Sequence, residues 1–143
     1  MARKFLTEAE EAKLIKAIEE AETNTSGEVR VHIEANCEGD PYHRAVKLFE
    51  KMGMTRTALR NGVLVYIAVE DHKFAIIGDK GIDEKVPRGF WEETQLLMRE
   101  HFKKGNLGDG LVEGVLDAGE QLKKYFPYQP DDTNELKDEI SYG

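Results

Sequence analysis

The sequence predicts an α/β fold, with a central mixed β-sheet sandwiched between helices. Three observations carry that reading. Residues Glu28–Glu34 alternate strictly between charged and apolar side chains, which is the period of a strand. Two apolar, β-branched runs, 63–69 and 74–77, flank the polar triplet Glu70, Asp71 and His72, the pattern of a β-hairpin. Around these runs, apolar residues recur at helical spacing. The hairpin makes the sheet mixed rather than purely parallel.

Residues 7–22 form an amphipathic helix. Thr7 and Glu10 have capping-box spacing, and Leu14, Ile15, Ile18 and Ala21 make one apolar face. The strand Glu28–Glu34 follows, with Val29, Val31 and Ile33 on one side and Glu28, Arg30, His32 and Glu34 on the other. After the loop Ala35–Asp40, Asp40-Pro41 starts a second helix, Asp as cap and Pro in the first turn. That helix reaches about Met52. The hairpin then runs from Val63 to Ile77, and its first strand is apolar enough to be covered on both faces. A helix near 88–103 and a last helix, with Asp109 as a candidate cap, complete the folded part. Pro127 and Pro130 end it.

The length of 143 residues fits one domain, placed at 1–130. Residues 131–143 carry five acids against one base, half of the net charge of −8, and read as an acidic, irregular tail. Such a segment suits a protein partner. The mild acidity of the remainder argues against a nucleic-acid binder, which needs a basic stripe. No run approaches the roughly 20 apolar residues of a membrane span. Cys37 is the single cysteine, so no intrachain disulfide forms. With no apolar leader after Met1, the expectation is a cytoplasmic protein.

Two groups of residues carry chemistry. In GDKGIDE, Asp79, Asp83 and Glu84 stand among Gly78 and Gly81. Oxygens on a bending loop suit a hard cation, calcium or magnesium, with Glu34, Glu38 or Asp40 joining from the loop after the first strand. The plainer reading makes Asp79 a turn cap and Asp83 a solvated charge. On the charged strand face, Arg30 suits a phosphate and His32 suits proton transfer; cross-strand ion pairs explain the same residues without function. His43, His72 and His101 lack metal-ligand spacing, and acids near Cys37 argue against a nucleophilic thiol. No phosphate-binding loop, dinucleotide fingerprint, serine elbow or zinc motif is present.

TSGEVRVHIE, RNGVLVYIAVEDHKFAIIGDKGI, the Trp-bearing helix and GDGLVEGVLDAGEQLKKYFP together resemble the TPM-domain family, over about residues 7–127. The family includes thylakoid-lumen proteins linked to photosystem II repair and many bacterial proteins of unknown role. The resemblance implies an α/β sandwich with a central mixed sheet, divalent-cation binding, calcium most often, and, for plant members, a weak acid phosphatase activity. The family's strand entry falls on Ser26, Gly27 and Glu28, its strand-start position on Asn61, and its turn after the hairpin on Gly78, Asp79 and Gly81. The expected protein is a short, stand-alone form that binds calcium through Asp79 and Asp83, with Glu84, Glu34 and Asp40 supplementary. The alternative is a metal-assisted phosphatase using Arg30, His32 and Asp79.

Overall fold

The computed structural model describes residues 5–128 and 140–143. Helix α1 (Glu8–Asn24) leads into β1 (Glu28–Glu34), helix α2 (Pro41–Lys51), a 3₁₀ turn at Met54–Arg56, and the hairpin β2 (Gly62–Ala68) and β3 (Lys73–Gly78). The one-turn helix α3 (Lys80–Asp83), then α4 (Glu92–Lys103), α5 (Leu107–Lys123) and β4 (Ile140–Tyr142) complete the chain. The sheet order is β3-β2-β1-β4. β1 is parallel to β2 and to β4, and β2 is antiparallel to β3. This is the expected mixed sheet.

Helix starts follow local chemistry. The Thr7 hydroxyl accepts from the Glu10 N–H, and the Glu10 carboxylate accepts from the Thr7 N–H, closing the capping box of α1. Asp40 Oδ1 accepts from the Tyr42 N–H, with Pro41 in the first turn of α2. Two expected starts differ. α4 begins at Glu92 rather than 88, after a turn at Gly89 (φ +77°). α5 begins at Leu107, so Asp109 lies inside its first turn rather than at the cap.

Helices cover both sheet faces. Leu14, Ile18, Met98, Leu111, Val115 and Leu122, from α1, α4 and α5, pack with Val29, Val31 and Ile33 of β1 in one core. Leu48 and Phe49 of α2 pack with Leu64, Tyr66 and Ile77 in the other. Every residue of β2 is buried, as its unbroken apolar run requires. On β1 the charged side faces the α2 layer and is largely covered: Glu28, His32 and Glu34 are buried and Arg30 is half-buried. Such groups need partners when taken out of water; the side-chain network below supplies them for Glu34 and for His32 Nδ1.

The segment expected to be an irregular tail ends in secondary structure. Ile140–Tyr142 pairs with Val31–Ile33 as the sheet-edge strand; residues 131–139 lie outside the described residues. A three-residue strand has little propensity of its own, and its ladder comes from the open edge of β1.

Candidate functional site

β1 and β2 start and finish together, with Glu28 opposite Gly62 and Glu34 opposite Ala68. β3 returns, placing Gly78 opposite Val63. Asp79 therefore emerges where β1 and β2 begin, and Glu34 lies where they end. The five expected metal ligands are split accordingly. Asp79, Asp83 and Glu84 border one cleft; Glu34 and Asp40 border another. The expectation that they converge is corrected by the antiparallel return of the hairpin. The expected catalytic set is divided too: Arg30 and His32 lie on β1, whereas Asp79 follows β3, beyond β2.

At the starting end, the loops are clasped. Arg60 grips Asp79 with two hydrogen bonds, Nε to Oδ2 at 2.7 Å and Nη2 to Oδ1 at 2.9 Å. Asp79 Oδ1 also accepts from the Lys80 N–H at 2.7 Å, capping α3. Its backbone N–H donates to Gly62 O, and the Gly81 N–H donates to Arg60 O. A Cβ on Gly81 would stand 2.1 Å from Leu59 O, so only glycine fits this approach. Ser26 and Asn61 join the same end through a side-chain hydrogen bond of 3.3 Å. Asp79 is thus a buried cap and ion-pair partner. Asp83 and Glu84 are exposed; partial desolvation of the Asp83 carboxyl, together with the Asp79 charge, raises it above its ordinary range.

On the α2-side face of β1, Glu34 is the hub. Arg44 of α2 binds it with Nε to Oε2 and Nη2 to Oε1, both 2.9 Å, and the Tyr66 hydroxyl donates to Oε2. Burial alone would raise the Glu34 carboxyl, but the Arg44 and Tyr66 hydrogen bonds outweigh it and hold it below its usual range. The Glu34 hydrogen bond in turn raises Arg44, and burial, with Glu34, raises the Tyr66 phenol. His32 stacks on Tyr66 with ring centroids 6.1 Å apart, and its Nδ1 shares a 2.7 Å hydrogen bond with Ser141 Oγ of β4. Burial lowers the imidazole below its ordinary value, outweighing the opposing Glu34 charge. His32 Nε2 stands 3.5 Å from Glu34 Oε1, beyond a good hydrogen bond.

At the finishing end, the loop between β1 and α2 meets the β2–β3 turn. Val69 and Glu70 N–H groups donate to Glu34 O and Ala35 O. Asp71 accepts from the Cys37 N–H at 2.7 Å and from Asn36 Nδ2 at 3.1 Å; the Cys37 bond, then Asn36, lowers its carboxyl. The Lys73 ammonium donates to Cys37 O at 2.9 Å and Gly39 O at 2.8 Å. Two backbone carbonyls of one loop thus converge on a single positive charge. The adjacent cleft has a volume of about 530 Å³ and includes Glu38, Gly39 and Asp40.

The sequence model of the TPM domain matches residues 2–121. The chain belongs to the TPM-domain family. It is similar to the BA42 protein from the psychrophilic bacterium Bizionia argentinensis, known by NMR, at 48% identity and a TM-score of 0.93. That match covers 99% of this chain and 97% of BA42. Two further NMR structures share the fold. The N-terminal domain of cg2496 from Corynebacterium glutamicum is 9% identical, with a TM-score of 0.65 over 96% of this chain and 81% of that one. The N-terminal domain of a P. gingivalis protein is 21% identical, with a TM-score of 0.65 over 85% and 78%. No curated protein matches the chain.

The TPM-domain motifs SGE, NG and GDKG all fall in the clasp at the starting end. That clasp does not fit a cation, because Arg60 holds both oxygens of Asp79. Glu34 is likewise engaged on both oxygens. Among the described residues, no three His, Cys, Asp or Glu side chains group as metal ligands. The loop at the finishing end fits better, since its carbonyl oxygens already hold an ammonium and hard cations accept carbonyl ligands. Arg60, Arg44, Tyr66, Ser141, Asp71 and Lys73 complete these arrangements and were not singled out by sequence. Tyr66 had one signal, a hydroxyl inside an otherwise apolar strand. Among the described residues, no helix is long and apolar enough to cross a membrane.

Proposed function

We propose that this TPM domain is a divalent-cation-binding interaction or regulatory module, calcium its preferred ion, with the seat in the loop 35–40 closed by the β2–β3 turn. The observation that carries this reading is the Lys73 ammonium held by Cys37 O and Gly39 O. A divalent ion would replace the ammonium on those oxygens, with the carboxylates of Glu38 and Asp40, which border the same cleft, as further donors and Asp71 holding the loop in place through the Cys37 N–H. Gly39 supports this role: its φ of +74° turns the chain there, and a Cβ would meet nothing within 4 Å, leaving room to adjust. Calcium is favoured over magnesium because it tolerates irregular oxygen shells. Displacing Lys73 would loosen the β3 end of the turn, changing the surface offered to a partner.

Calorimetry with calcium and with magnesium tests the proposal. Lys73→Met removes the internal competitor and tightens calcium by about tenfold, the scale of one lost charge-assisted hydrogen bond. Asp71→Asn weakens it, and Asp79→Asn leaves it unchanged. Absence of binding, or binding that depends on Asp79 and ignores Lys73 and Asp71, overturns the seat.

The second reading, slow metal-assisted hydrolysis of phosphate monoesters, has one supporting observation. Arg30 Nε is buried without a hydrogen-bond partner among the described residues, two positions from His32 on the same strand face, and suits an anionic oxygen. Binding is the stronger reading, because both His32 and Glu34 are held in a packed network. Hydrolysis of a chromogenic phosphate ester, with calcium, magnesium or EDTA, separates the two: turnover that survives Arg30→Met eliminates the catalytic reading.

A further inference from the structure

A third concavity lies near the hairpin tip, where the α4–α5 connection approaches the sheet. Its volume is about 400 Å³, within the range of small-molecule sites. The floor is apolar: Ile67 and Val69 from the β2 side, Phe74 of β3, and Phe102 and Leu107 across the connection. Phe74 and Phe102 meet edge to face at 5.2 Å. All but Ile67 are only half-buried, so apolar surface remains in contact with water inside a concave wall.

The rim has one sign of charge. Arg99 and Lys103 are exposed around the opening beside His72, and among the described residues no Asp or Glu borders it. In a chain of net charge −8 this is a local reversal. Lys73 borders the cavity too, but its ammonium is committed to the loop carbonyls on the other side. The Arg99 guanidinium is poised 5.6 Å from the Phe74 ring centre, at the boundary between apolar floor and water. Among the described residues no ion pair engages Arg99 or Lys103. Lys103 complements the C-terminal dipole of α4, which explains that residue alone. It explains neither Arg99, a turn earlier, nor the cavity beneath.

The geometry points to a binding site for a small amphiphilic carboxylate, such as a medium-chain acyl or arylalkyl acid. The chain or ring fills the apolar floor, and the carboxylate reaches the Arg99 fork and the Lys103 ammonium. A cationic or neutral ligand of the same shape lacks the rim contacts. An anionic membrane is the less suitable source of this headgroup, because the site is concave and the rest of the chain is negative.

The test is an amide-shift titration of the full chain in EDTA, which makes it independent of the cation seat. The probes are octanoate below its micelle concentration, octan-1-ol, octylammonium, and phosphatidylglycerol vesicles. Octanoate should shift residues 67–74 and 102–107. Arg99→Gln with Lys103→Gln, both exposed and so compatible with folding, should weaken it by about tenfold or more. Octanol should bind about tenfold more weakly than octanoate, and octylammonium should leave those amides unmoved. Equal binding of the three amphiphiles, octanoate shifts elsewhere, indifference to the double substitution, or binding to vesicles alone would each overturn the assignment.

Discussion

Where β1 and β2 begin, Asp79 is locked to Arg60 and capped onto α3; where the same strands finish, two loop carbonyls, Cys37 O and Gly39 O, converge on the ammonium of Lys73 at the start of β3. Both ends present acids, glycines and turns. They differ in whether the charges are already matched. An Arg–carboxylate pair with two parallel bonds leaves no oxygen for an added ion without breaking the pair. A single flexible ammonium on carbonyl oxygens is displaced more easily, because a divalent ion gains from the same oxygens. On the proposed reading, the motif-rich end serves fold integrity and the motif-poor end serves exchange.

The strongest way to break this contrast is at Gly81. With Leu59 O in the path of any Cβ, Gly81→Ala should cost about 3 kcal/mol, read by chemical denaturation. A near-neutral result would mean the clasp is loose. Asp79→Ala removes the cap of α3 as well as the partner of Arg60, and should cost about 1–2 kcal/mol from the cap alone. Calcium affinity should stay the same in every variant that folds.

The network on β1 predicts a pH signature. Folding lowers the His32 pKa from 6.5, chiefly by burial, so the unfolded chain takes up that proton first. Stability from this group is complete above about pH 6.5 and is lost as pH falls. Glu34, held below its ordinary 4.5 by Arg44 and Tyr66 against the cost of burial, adds a second loss at lower pH. Denaturation midpoints followed from pH 8 to 3 should decline in two stages, and His32→Gln should remove the first. A smaller effect is expected at the sheet edge, where Ser141→Ala deletes the partner of His32 Nδ1 and should cost about 1 kcal/mol.

The sheet was largely legible because its strands carry strong periods: β1 alternates, β2 is continuously apolar, and the polar triplet Glu70, Asp71 and His72 falls in the connection between β2 and β3. The family, too, was readable from the SGE, NG and GDKG segments. What those segments do was harder to read. Their pattern records the close approach of Gly81 to Leu59 and the Arg60–Asp79 pair, both of which depend on tertiary neighbours. The expected gathering of Asp79 with Glu34 and Asp40 failed on direction, since an antiparallel return carries Asp79 back to where β2 began. That constraint was present in the hairpin itself. The pairing of Glu34 with Arg44 and Tyr66 required the register that sets His32 beside Tyr66, and β4 draws its order from the edge of β1 rather than from its own three residues.

Amide shifts followed during a calcium titration of the full chain test the central claim most directly. The account predicts that the perturbed residues cluster at 35–40 and 70–73, with 78–84 silent. Perturbation centred on 78–84, with the loop and turn at the finishing end unmoved, would contradict it.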